Sequence, residues 1–120
     1  GELVAVTLEN ETGLTVLVAD KMEFVSGAGE AKAELIGRKL PQAILDAVAE
    51  GKSFNTATFN DGLGLDMSDC GFGYVTVAPI SNNGVGYGAL AAFSNEPIGE
   101  DTARLVRIAA QMVAINLQRY

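Results

Sequence analysis

The 120-residue chain has no histidine, no tryptophan and a single cysteine, and it contains no long uninterrupted apolar run. Without histidine it lacks the usual general base near neutral pH, and every His-dependent catalytic triad is excluded. The lone Cys70 cannot form an internal disulfide or a cysteine-built zinc cage, and it suits a reducing compartment, so a cytoplasmic location is expected. No segment is long and apolar enough to span a bilayer, and no charged start followed by an apolar core marks a signal peptide; no membrane partner is expected. Positive charge is scarce. Eight Lys and Arg against fifteen Asp and Glu give a net charge of −7, which repels phosphate backbones, so this segment is not expected to hold nucleic acid itself. With Gly1 in place of an initiator Met, residues 1–120 read as one domain whose start is either an excision point, with an upstream domain missing, or a tag remnant.

What is present is apolar: 48% of the residues are hydrophobic, more than a core of this size needs, and the surplus points to a second subunit. The stretch from Gly71 to Ser94 organises the rest. Two β-prone runs flank Asn82, Asn83 and Gly84, residue types that tolerate the positive φ of a tight hairpin turn. In the first run Val75 and Val77 oppose Tyr74, Thr76, Ala78 and Ile80. In the second, Val85, Tyr87, Ala89, Ala91 and Phe93 oppose Gly86, Gly88, Leu90 and Ala92. Neither face is polar, so the hairpin belongs at the centre of a sheet covered on both sides. The small residues Gly86, Gly88, Ala89, Ala91 and Ala92 admit close approach by either a helix or a ligand.

In chain order, Glu2 to Thr12 reads as the tail of a helix stopped at Gly13. Leu14–Asp20 and Glu23–Ser26 read as a hairpin turning at Lys21 and Met22. Glu30–Ile36 is a short helix closed by Gly37. Pro41–Glu50 is another, closed by Gly51, with Leu40, Ile44 and Val48 on one face. Ser53–Phe59 is a third strand, and Asn60–Gly71 is a loop too rich in Gly and Asp for regular structure. Ile98–Tyr120 is the longest helix, capped by Asp101 or Thr102, with Arg104, Arg107, Gln111 and Gln118 on its polar side. It carries two apolar stripes, Leu105, Ile108, Ala109, Met112 and Ile115, and Val106, Ala110, Val113 and Leu117. The first is expected to face the sheet and the second, through Val113 and Leu117, the first helix or a second subunit; one broad core face is the alternative. The order implies an α/β (α+β) domain with a mostly antiparallel central sheet, the long terminal helix on one face, and the short helices and loop on the other.

The stretches GLTVLVAD (13–20), VSG (25–27), YVTVAPI (74–80), the Asn83 and Gly84 turn, GYGALAAFS (86–94) and the terminal helix with Ala109 and Ala110 carry a family resemblance in their order and spacing. The chain resembles a GAF-type sensor domain, and more closely the C-terminal GAF domain of the stage V sporulation protein T regulators, over most of residues 13–118. The resemblance implies a transcription regulator with an N-terminal swapped-hairpin DNA-binding domain of AbrB type, a GAF domain that dimerises through helical bundles, and a pocket between the sheet and the helix-and-loop layer. The N-terminal part is absent from this chain, so DNA would be a partner only through that missing domain.

Residue by residue, catalysis finds little support, and no catalytic residue is assigned. Cys70 follows Asp69 with no Lys, Arg or His beside it in sequence to lower its pKa, and reads as a buried, inert thiol. GAF proteins that reduce free methionine sulfoxide rely on more than one cysteine, which leaves a cysteine-dependent reductase as the weaker alternative. Asn60, Asp61, Asp66 and Asp69 match no EF-hand spacing and read as solvated loop residues; no metal site is assigned. The glycines at 71 and 73 and at 84, 86 and 88 do not sit between a strand and a helix, and no Lys followed by Ser or Thr accompanies them, so they are not a phosphate cradle. By analogy with the fold, Phe24, Ser26, Phe59, Met67, Cys70, Tyr74 and Thr76 are expected to line one small-molecule cavity, its ligand and any cofactor unknown. The competing expectation is that these side chains fill the core and leave a ligand-free dimerisation module.

Overall fold

The computed structural model describes residues 2–117. In chain order the elements are α1 (Glu2–Thr12), β1 (Thr15–Ala19), β2 (Phe24–Ala28), α2 (Lys32–Leu35), α3 (Gln42–Glu50), β3 (Phe54–Ala57), β4 (Phe59–Asn60), β5 (Leu65–Asp66), β6 (Tyr74–Asn82), β7 (Val85–Ser94) and α4 (Glu100–Leu117). Five strands form one antiparallel sheet in the order β2-β1-β7-β6-β3, and β4 pairs with β5 in a separate two-stranded ribbon. The hairpin is indeed central: β7 lies between β1 and β6. Its turn has Asn83 at φ 53° and Gly84 at φ 78°, the two successive positive φ values of a type I′ turn, whose twist matches that of the strands.

Two layers cover the sheet. On one face Leu17, Ala19, Val75, Val77, Ala89, Ala91 and Phe93 meet Leu35 of α2, Ala43, Ile44, Ala47 and Val48 of α3, and Leu65, Met67 and Cys70 of the β5 segment. On the other, Val16, Val18, Ala78, Ile80, Leu90 and Ala92 meet Ala5 and Leu8 of α1 and Val106, Ala110, Val113 and Ala114 of α4. The first helix thus joins the long one in a single layer. Helix α1 stops at Gly13, whose φ of 73° lets its N–H bond back to the Glu9 carbonyl at 2.8 Å. The β1–β2 turn is set by the Asp20 carboxylate, which accepts hydrogen bonds from the Glu23 and Met22 amides at 2.9 and 2.7 Å; both hold its pKa below the ordinary value, that of Glu23 the more strongly.

Three expectations shift. Ala31 takes a left-handed conformation, φ 61°, so the helix expected from Glu30 begins only at Lys32. Helix α4 starts at Glu100, ahead of both expected caps, with the Ala103 amide bonded to the Gly99 carbonyl at 3.0 Å; Gln118 and Tyr120 lie outside the described residues. The third shift is the largest. The α4 stripe of Val106, Ala110 and Val113 faces the sheet, while Leu105, Ile108, Met112 and Ile115 point to solvent, the reverse of the expected assignment. At 100° per residue the two stripes lie on opposite sides of the helix. The side rich in Ala seats against the sheet because Ala103, Ala110 and Ala114 allow the closer approach.

A bulge in the hairpin alters one further position. Ile80 pairs with Gly88 but Ser81 with Gly86, leaving Tyr87 unpaired, and Tyr87 packs with the α1 and α4 layer rather than with Ala89 and Ala91. The glycines beside it admit backbone. A Cβ on Gly86 would lie 2.6 Å from the Val48 carbonyl oxygen of α3, and one on Gly88 would overlap the Ala19 carbonyl of β1. Gly88→Ala is therefore expected to cost about 1–3 kcal/mol through forced separation of β1 and β7, read as a lower midpoint in urea at unchanged slope.

Candidate functional site

The layer formed by α2, α3 and residues 58–73 is where the expected cavity would lie. It is held at Thr58, which is buried between β3 and β4 and serves as a backbone and side-chain hub. Its amide donates to the Gly73 carbonyl at 2.9 Å, its carbonyl accepts from the Met67 amide at 2.9 Å, and its hydroxyl donates to the Phe72 carbonyl at 2.8 Å. Asn60 accepts from the Leu63 amide at 3.2 Å and donates to the Thr56 hydroxyl at 2.9 Å. So the stretch expected to be irregular contains a 3₁₀ turn at Asp61–Leu63 and the short β4–β5 pairing. These lower Leu65 and Met67 into the core, where both are fully buried.

Of the seven residues expected to share a cavity, six divide between the two faces of the sheet and Phe59 lies on neither. Phe24, Met67 and Cys70 do come together in the core beneath α3. Ser26 does not join them. A bulge at Val18 and Ala19 pairs Ala19 with Phe24 but Val18 with Ser26, so Ser26 shares the α1 and α4 face with Val18. Tyr74 and Thr76 follow the alternation of Ala78 and Ile80 and also look to that face, while Phe59 is 54% exposed on β4. Phe24 meets Phe93 edge-on with ring centres 6.1 Å apart, and Phe72 packs on Phe93 at 5.8 Å. Aromatic and aliphatic side chains thus occupy the space between sheet and α3.

Cys70 is buried and its thiol donates to the Phe72 carbonyl at 3.4 Å, an environment of a structural rather than a reactive thiol. Its neighbour Asp69 has a cation the sequence order hides: Arg38, from the segment between α2 and α3, reaches it at 2.7 Å. The hydrogen bond from Arg38, and then its charge, hold the Asp69 carboxyl below its ordinary pKa. This pair clasps the loop before β6 to the α2–α3 connection. Because the folded pKa is lowered, the clasp is complete above the ordinary carboxylate range and is lost as pH falls through the lowered value. Arg38→Gln is expected to speed amide exchange at residues 66–71 severalfold near neutral pH with the fold intact. The difference from the unchanged protein should fade as pH falls below the ordinary carboxylate range and through the lowered value; a difference independent of pH would detach it from Asp69. Among the described residues no three His, Cys, Asp or Glu side chains are grouped to hold a metal ion, and no helix is long and apolar enough to cross a membrane.

The sequence profile described as "Stage V sporulation protein T C-terminal, transcription factor" matches residues 2–118. The chain belongs to that family. No curated protein sequence matches it significantly. Solved structures share the architecture of this domain. The GAF-B domain of DevS from Mycobacterium smegmatis superposes with a TM-score of 0.77 at 22% identity, over 98% of this chain and 90% of that one. The cofactor-binding GAF domain of the nutrient sensor CodY from Clostridium difficile gives 0.71 at 17%, over 97% and 83%. A segment of a methyl-accepting chemotaxis protein gives 0.76 at 17%, over 98% and 86%. At these identities the likeness establishes the fold, which is that of a GAF domain, as the resemblance implied. Membership makes this a domain of a transcription factor family.

In this member of the stage V sporulation protein T family, sequence reading missed Thr58 and Arg38. Thr58 looks like one more residue of an alternating strand, and only the bend that splits β3 from β4 reveals its role. Arg38 and Asp69 stand 31 residues apart, beyond any local spacing rule.

Proposed function

We propose that this domain acts as the signal-sensing and dimerisation module of a cytoplasmic, sporulation-type transcription regulator, coupling its own state to a separate DNA-binding domain and catalysing no reaction. The carrying observation is the outward stripe of α4. Leu105, Ile108, Met112 and Ile115 are each about half exposed, and Leu3 and Val6 of α1 in the same layer are also exposed. A two-helix layer with an apolar outer surface is well suited to pack on its own copy about a twofold axis, giving a four-helix contact. The acidic net charge leaves DNA contact to another domain. Sedimentation velocity over a range of concentrations tests the dimer: the expected species has twice the chain mass, and a monomer at every concentration would refute it.

Sensing rests on kinship of fold with a domain described as the cofactor-binding part of a nutrient sensor. The packing of Phe24, Met67 and Cys70 favours a second reading, a ligand-free dimerisation module. A thermal-shift screen with cytoplasmic metabolites separates them, since a ligand at 100 times its dissociation constant adds about 2.7 kcal/mol to stability and a ligand-free module shows no shift.

A further inference from the structure

The outward stripe of α4 is aliphatic except at one position. Leu105, Ile108, Met112 and Ile115 follow one another at spacings of three and four along the helix, so Met112 has Ile108 one turn before it and Ile115 one turn after. Of the four it is the most exposed. Branched aliphatic side chains are inert to peroxides and a thioether is not, so the one side chain of this stripe that a peroxide can change stands inside it.

The rest of the chain offers such an oxidant little else. It has no histidine and no tryptophan. Its one thiol, Cys70, is buried against the Phe72 carbonyl, and Met67 is fully buried beneath α3. Met22 alone matches Met112 in exposure, 70% against 59%. It sits in the β1–β2 turn, where its amide donates to the Asp20 carboxylate and its carbonyl accepts from the Leu40 amide, and its side chain belongs to neither core cluster. The chain's three methionines therefore separate accessibility from consequence: one is buried, one is open in a turn, and one is open on the apolar helix face.

We propose that Met112 is a peroxide-oxidation site whose conversion to the sulfoxide weakens the contact of two copies through α4, a contact that is itself the reading given above and on which this rests. In the step, the sulfur lone pair attacks one peroxide oxygen, and the S–O bond forms as the O–O bond breaks. The departing hydroxide takes the proton of the transferred oxygen and leaves as water; sulfur is oxidised and the peroxide reduced. The step takes place on the free chain, where Met112 is open, and the contact shields it. The product is polar where the contact is apolar, and the twofold axis repeats it on both copies. Leu105, Ile108 and Ile115 hold no side-chain donor for the new S–O group, so the cost of covering it falls on the associated state alone.

The test is graded hydrogen peroxide treatment of the whole chain at several protein concentrations, with peptide mass mapping of each methionine and sedimentation velocity of the products. In dilute protein Met22 and Met112 are expected to oxidise at similar rates, and Met67 at least about tenfold more slowly. Raising the concentration into the associated range should slow Met112 and leave Met22 unchanged. The oxidised chain should keep its far-UV circular dichroism and associate at least about tenfold more weakly. Met22→Leu should retain that sensitivity, while Met112→Leu, which keeps an apolar side chain of similar volume, should lose it. An oxidised Met112 with undiminished association, a Met112→Leu chain that peroxide still dissociates, or loss of the helical signal along with the contact would each overturn the proposed role of Met112. An unoxidised chain that is monomeric at every concentration would refute the dimer itself, and the effect of Met112 with it.

Discussion

Met112→Glu is expected to leave the domain folded and turn the dimer into a monomer. In the single chain Met112 is 59% exposed and outside both core clusters, so a carboxylate there is solvated and should alter stability by no more than about 0.5 kcal/mol. In a twofold contact through α4 the same side chain is covered, twice by symmetry. An ionised, unpaired carboxylate so covered costs several kcal/mol, which weakens association at least about a hundredfold. The partner experiment is Val113→Glu. Val113 is 8% exposed between α4 and the sheet, so its replacement should abolish the fold rather than merely the dimer. Sedimentation with far-UV circular dichroism reads both. A Met112→Glu dimer of undiminished strength would place the interface elsewhere, and a folded Val113→Glu monomer would restore the stripe assignment suggested by the sequence.

Met67→Ala should be the most damaging change in the layer beneath α3. Met67 is fully buried among α3, β6 and β7 residues, fixed there by the hydrogen bond its N–H donates to the Thr58 carbonyl. Truncation removes its contacts and leaves a void, at an expected cost of about 2–5 kcal/mol and roughly 10–20 °C in melting temperature. The void is lined by apolar groups, so it should stay dry and take up a small apolar atom such as xenon, which would return part of the lost stability. A loss below about 1 kcal/mol would mean that the loop collapses into the space, and that Met67 is a movable plug rather than a fixed part of the core.

The sheet was legible in the residues because its centre is local: the β6–β7 hairpin needs only a turn dipeptide and two apolar runs. The layers above it were legible in kind but not in direction. Both stripes of α4 are apolar, so periodicity identifies two faces without ranking them. The ranking lies in side-chain size, with Ala103, Ala110 and Ala114 against the sheet and Leu105, Ile108, Met112 and Ile115 outward. The candidate site was least legible. Alternation assigns faces correctly for Tyr74 through Ile80, yet the bulges at Val18 and Ile80 each add a residue and break the alternation, moving Ser26 and Tyr87 across the sheet. Nor does any local pattern announce the β4–β5 pairing that lowers Met67 into the core.

The two outer strands of the sheet bear on solubility. After α2 the chain doubles back along β2: Phe24 receives the Gly37 amide at 2.7 Å and donates to Arg38, and Leu40 donates to Met22 at 2.9 Å. The opposite edge, β3, is four residues long and breaks off at Thr58. One edge is already engaged and the other is too short and bent to template a further strand. A chain with this much apolar sequence would otherwise risk edge-to-edge growth into fibres, and the same arrangement suits the proposed contact between helices, which would close at two copies.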